Sequence, residues 1–132
     1  MTTNILLLDV DGVLKSLQGA SGTIPGTDWK EGVQEFVGWC QQQFHVVLIL
    51  SSWQGDIHPE FATLDIQLPS LSWKARKTEG LAGLVGPGKK IVWVEDGWDA
   101  LDHATAESLG IILVETHFNE SLVLTRQKIE AV

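Results

Sequence analysis

The apolar run Ile5-Leu6-Leu7-Leu8 leads directly into Asp9-Val10-Asp11-Gly12-Val13, and this junction restricts the fold more than any other part of the chain. A short apolar run with turn residues close behind it reads as a fully buried strand. In an open α/β sheet, ligands bind beyond the carboxyl ends of the strands, so Asp9 and Asp11 stand where chemistry is expected. Alternation along a strand turns Asp9 and Asp11 one way and Val10 the other. Like charges so close destabilise the fold unless something positive lies between them, and a hard divalent cation is the usual partner. Gly12 lets the backbone turn sharply and approach a ligand. The pattern is not an EF-hand loop, whose glycine comes later and whose site a distant Glu closes.

Behind this junction strands and helices alternate. That predicts a three-layer, Rossmann-like α/β fold: a parallel sheet of about five strands with helices on both faces and no separate cap domain. The strands are expected over residues 4–9, 46–50, 66–68, 91–94 and 111–114. Residues 16–27, rich in Gly and Ser and containing Pro25, read as a loop or small flap over the site. Asp28 is the expected N-cap of a helix to Gln43, along which Trp29, Val33, Phe36, Val37 and Cys40 recur at helical spacing. Further helices are expected over 58–63, with Pro59 in the first turn, and over 77–85, closed by Gly86-Pro87-Gly88. Two more follow, over 100–108 with its end at Gly110, and from an Asn119 cap through Leu122 and Ile129.

A chain of 132 residues is expected to form a single domain with a core of its own. Cys40 is its one cysteine, which excludes an internal disulfide and a thiolate-cage zinc site. His45, His58, His103 and His117 share no metal-ligand spacing. A formal charge of -8 disfavours non-specific binding to a nucleic acid backbone. Lys74, Arg76 and Lys77 read either as a local basic groove or as a solvated helix entry. No apolar stretch is long enough to cross a bilayer, and Met1-Thr2-Thr3-Asn4 carries no basic region. A cytoplasmic protein with no membrane partner is therefore expected.

Three expected strands end in polar groups: Asp9 and Asp11, then Ser51-Ser52-Trp53, then Glu95-Asp96 with Asp99 nearby. A parallel sheet places those ends on one edge. Carboxylates suit magnesium, Ser51 can hydrogen-bond an anion, and Lys77 can neutralise one. The combination fits phosphoryl transfer, where positioning and charge neutralisation are most of the catalysis.

In these residues the chain resembles the haloacid dehalogenase superfamily of phosphotransferases. Leu8-Asp9-Val10-Asp11-Gly12-Val13-Leu14 is similar to its first motif, and Leu48-Ile49-Leu50-Ser51 to its second, a hydrophobic strand ending in Ser or Thr. Lys77 suits the third motif, and Val92-Trp93-Val94-Glu95-Asp96 with Asp99 the fourth. Lys74, Lys89 and Lys90 also lie near the third motif, but Lys89 and Lys90 directly precede a strand, at the wrong edge of the sheet. Ser51-Ser52-Trp53, Lys77-Thr78 and Glu95-Asp96 are also similar to compact phosphatase-like domains associated with RNA repair proteins.

The resemblance implies a Mg²⁺-dependent phosphomonoesterase. Asp9 would be the nucleophile that forms an aspartyl-phosphate, and Asp11 the acid, then the base. Ser51 would hold a phosphoryl oxygen, Lys77 would offset charge, and Gly12, Ser52 and Trp53 would lie against the substrate. Magnesium would sit on Asp9, on Asp11 through its backbone carbonyl, and on an acid of the fourth motif. Asp96 is favoured for that acid, with Glu95 as the alternative because its gap to Asp99 matches the family's usual spacing.

No segment between the motifs is long enough for a cap domain, so the site is expected to be open. An open site accepts a bulky phosphorylated substrate, such as a nucleic acid end, or takes a second copy of the chain as its lid; a small-molecule substrate also fits. Trp29, Trp39 and Trp93 fit core faces, while Trp53 and Trp98 directly follow site residues and either pack or meet a leaving group. The alternative reading is a non-catalytic module of the same fold, or a receiver-like signalling module. Receivers, however, carry the acidic pair on the first strand and the phospho-acceptor on the third.

Overall fold

Strand β1 (Thr3–Leu8) occupies the middle of a four-stranded parallel sheet because its side chains are apolar on both faces. The structure, a computed structural model, describes residues 2–18 and 24–132. Strand β1 pairs with β4 (Val46–Ile49) on one side and β5 (Lys89–Glu95) on the other, and β6 (Ile112–Glu115) pairs with β5. The sheet order is β4-β1-β5-β6. The chain leaves β1 toward β4 and later returns to β5 on its other flank, so the C-terminal end of β1 is a topological switch point, where open α/β sheets place ligands.

Alternate residues of β1 enter separate cores, as a strand period of two requires. Leu6 and Leu8 pack with α1 (Val33–Gln43), α4 (Leu122–Glu130) and Phe61 of α2 (His58–Ala62). Ile5 and Leu7 pack with Trp93, Leu81 and Ala106 of α3 (Ala100–Ser108). Helices thus cover both faces. Among the described residues, no helix is long and apolar enough to cross a membrane.

Among the described residues, four parallel strands form rather than about five. The expected strand over 66–68 is replaced by one isolated bridge, Ile49 to Ser70, with Ile49 N–H donating to Pro69 C=O and Leu71 N–H to Ile49 C=O, both at 2.8 Å. Pro69 has no N–H to continue a ladder, so the segment touches the β4 edge without extending it. The segment 16–27, expected as a loop or small flap, contributes to two antiparallel strands, β2 (Lys15–Gln18) and β3 (Ile24–Trp29), with residues 19–23 outside the described part. Asp28 therefore belongs to β3 and not to a helix cap; α1 starts after Gly32. Asn119 likewise yields the cap of α4 to Ser121, whose hydroxyl accepts from Leu124 N–H at 3.2 Å. The helix expected over 77–85 is a single 3₁₀ turn, Lys77–Gly80.

Candidate active site

Register carries the polar strand ends to one level. Leu8 aligns with Ile49 and with Val94, so Asp9 emerges beside Leu50 and Glu95, one residue short of Ser51 and Asp96. Leu50 N–H donates to Leu8 C=O (2.9 Å) and Asp9 N–H to Val94 C=O (3.2 Å), which ties the three ends together.

Beyond Leu8 the strand period stops. Val10 C=O accepts the N–H groups of Val13, Leu14 and Lys15 at 3.2, 2.9 and 2.9 Å, folding the chain into a turn that buries Val10 and Val13 completely. The carboxylates of Asp9 and Asp11 take separate partners. Asp9 is buried, accepts Val10 N–H on Oδ1 at 2.8 Å, and pairs with Lys77 Nζ at 3.5 Å. Asp11 instead accepts the indole N–H of Trp53 on Oδ2 at 3.0 Å, and its Oδ1, shielded from solvent, has no partner among the described residues.

Lys77 reaches across to Glu95 Oε2 at 2.8 Å as well as to Asp9. Carboxylate oxygens of Asp9, Glu95 and Asp96 lie within 4.8 Å of one another, a set able to hold a metal ion. The Asp11 carboxylate is not in that set. Both fourth-motif candidates, Glu95 and Asp96, are present in the cluster. Asp99 is not: it caps α3 through Asp102 N–H (2.7 Å) and pairs with Arg76 (2.8 Å).

Burial dominates the electrostatics. It pushes Asp9 up to about 6 against the Lys77 ammonium and the Val10 N–H. Glu95 is pushed up to about 9, again by burial, with the Asp9 charge adding and Lys77 opposing. Lys77 is held above its ordinary value although burial opposes it, because both carboxylates face its ammonium. One cation shared between two buried acids leaves the cluster short of positive charge, and an all-oxygen donor set with that deficit suits a hard divalent ion.

Ser51 is fully buried, and its Oγ accepts Trp53 N–H at 3.1 Å, leaving the hydroxyl hydrogen as a donor. Ser52 is exposed. Gly12 holds φ at +82°, and a Cβ there would lie 2.3 Å from Asp96 Oδ2, so the Asp96 carboxylate occupies the space a side chain would need. A cleft of about 330 Å³ opens alongside, lined by Trp73, Arg76, Lys77, Trp93, Glu95 and Trp98. A larger cleft of about 580 Å³, between α2 and residues 65–69, contains no site residue. Arg76 is paired with Asp99 and Asp102, and Lys77 with Asp9 and Glu95, so the basic trio is no groove: of the three, Lys74 alone makes no ion pair among the described residues.

Three supporting residues carry no local signal in the sequence. Lys30, buried at the end of the hairpin, donates from Nζ to Gly12 C=O at 3.1 Å; burial lowers it to about 8 against the pull of Glu120 and Asp96. Lys15, 3% exposed, lies 4.8 Å from the Trp29 ring and 5.0 Å from the Trp53 ring and pairs with Glu60 at 3.0 Å. Trp73 donates its indole N–H to Ser51 C=O at 2.9 Å. Only the return of the hairpin and of the 53–73 segment brings these groups to the strand ends. A comparison of the chain with protein-family models, curated proteins and solved structures gives no match.

Proposed function

We propose that this protein is a Mg²⁺-dependent phosphomonoesterase of the haloacid dehalogenase type, acting through an aspartyl-phosphate. The observation that carries the reading is the buried Asp9 carboxylate at the end of the central strand, 3.5 Å from the Lys77 ammonium and clustered with Glu95 and Asp96. Asp9 would attack phosphorus as the bond to the leaving oxygen breaks, while Asp11 gives that oxygen its proton. Asp11 would then take a proton from the water that attacks the same phosphorus, releasing phosphate and restoring Asp9. The free hydroxyl hydrogen of Ser51 would bond a phosphoryl oxygen, and Lys77 would offset the charge of nucleophile and phosphoryl group. Asp9, Glu95 and Asp96 would hold the metal, which when bound supplies the positive charge the cluster lacks. An open site supports phosphorylated substrates with bulky leaving groups, nucleic acid ends among them.

The direct test is phosphate release from p-nitrophenyl phosphate with Mg²⁺ and with excess chelator. Turnover that requires the metal supports the reading. No turnover, or turnover that chelator leaves untouched, moves the protein to the non-catalytic binding class.

The geometry of Gly12 gives a second check. Gly12→Ala is expected to lose about 1–2 kcal/mol from the positive φ alone. It is also expected to weaken Mg²⁺ binding by about 10- to 100-fold, because the new methyl displaces Asp96. Urea unfolding and calorimetric titration with Mg²⁺ measure the two effects, and unchanged affinity would remove Asp96 from the proposed metal site.

A further inference from the structure

We propose that Trp53 is the positioning residue of this site, setting both the proton-transfer carboxylate and the phosphate-binding hydroxyl; the inference rests on the phosphomonoesterase reading. Two donors of one residue serve the two groups. The indole N–H occupies Asp11 Oδ2 at 3.0 Å, which fixes the carboxylate and leaves Oδ1 uncommitted. The backbone N–H occupies a lone pair of Ser51 Oγ at 3.1 Å, which leaves the hydroxyl hydrogen for an acceptor that arrives with the substrate.

The ring is itself held. Lys15 Nζ lies 5.0 Å from its centroid, and Lys15 is in turn buried against Trp29 and paired with Glu60. Trp29 stacks on Phe61 at 5.3 Å, so the hairpin and the segment after β4, which carries Trp53, pack against each other. A cation on an aromatic face, out of water, resists rotation of the ring. The indole donor is therefore committed to the acid and is not free for a substrate.

Trp53→Phe keeps an aromatic ring, though a smaller one, and the backbone N–H, and deletes the indole donor. Its turnover is to be compared on p-nitrophenyl phosphate, whose leaving group departs without a proton, and on an alkyl phosphate, whose leaving group needs one. Both rates are expected to fall, with the alkyl-to-nitrophenyl ratio of kcat/KM dropping a further 10- to 100-fold or so. In an Asp11→Ala background the same substitution is expected to leave that ratio unchanged. Equal losses on both substrates would mean a merely structural role and overturn the proposal.

A measurement independent of turnover covers an inactive wild type. Of the six tryptophan indole N–H resonances, Trp53→Phe removes and so identifies one, and that resonance is expected to move in Asp11→Ala. A resonance that stays in place overturns the contact whatever the enzyme does. Wild-type protein lacking Mg²⁺-dependent turnover would defeat the phosphatase reading and with it the positioning role; a resonance shift would then establish only the contact.

Discussion

Asp9→Asn is expected to abolish phosphate release and, at the same time, to make the metal-free protein more stable than wild type above pH 6. Loss of a nucleophile from a site that works as a unit lowers turnover by about a thousandfold or more. The stability gain has a separate origin. Burial raises Asp9 from 3.8 to about 6, so the folded protein holds a proton there that the unfolded chain has released. Stability from this group is fully present below pH 3.8 and is lost as the pH rises through 6. The loss at pH 8 is roughly 3 kcal/mol. Asparagine cannot ionise and escapes it. Urea unfolding in chelator at pH 5 and pH 8 reads the effect, with the variant's gain over wild type about twice as large at the higher pH. Added Mg²⁺ is expected to close the gap, because it binds the ionised wild-type cluster better. A variant that keeps turnover within tenfold of wild type would remove Asp9 as nucleophile; one that is less stable at pH 8 would refute the burial argument.

Lys77→Met is expected to destabilise the metal-free protein by about 3–5 kcal/mol at pH 8, the usual consequence of stripping the partner from a buried charge. Among the described residues, Lys77 is the one cation paired with Asp9 or Glu95, at 3.5 and 2.8 Å. Without it both acids must stay protonated or face each other charged in a dry site. The penalty is expected to shrink toward pH 5, where protonation is easy, and under saturating Mg²⁺, which replaces part of the missing charge. Chemical unfolding at both pH values checks this. A loss below about 1 kcal/mol, the range of surface ion pairs, would show that the cluster is not electrostatically coupled as the geometry requires.

Much of this architecture is legible along the chain. The Ile5–Leu8 run, the helical stripe of Val33, Phe36, Val37 and Cys40, and the apolar residues 91–94 of β5 each carry their own signal, and each appears where that signal places it. Legibility fails where a local signal is ambiguous. Gly and Ser between Ser16 and Thr27 read as a loop or small flap without strand signal, yet Lys15, Leu17 and Gln18 pair across to Trp29, Pro25 and Ile24. Apolar Ile66 and Leu68 suggest a strand, but Pro69 interrupts its ladder after a single bridge. Alternation also says nothing of what Asp9 and Asp11 meet: beyond Leu8 the chain turns at Val10, Asp9 pairs with Lys77 and Asp11 accepts from Trp53.

The sequence by itself determined that a buried strand ends in acids, that other apolar strands end in Ser51 and in Glu95-Asp96, and that helices separate them, since burial and period are local properties of a chain. Only the tertiary structure decided which groups those acids meet. Lys30 reaches Gly12 across 18 residues, Lys77 reaches Glu95 across 18, and Trp53 reaches Asp11 across 42. Such contacts depend on sheet register and on the return of a hairpin, and no single segment of the chain contains the information that sets either one.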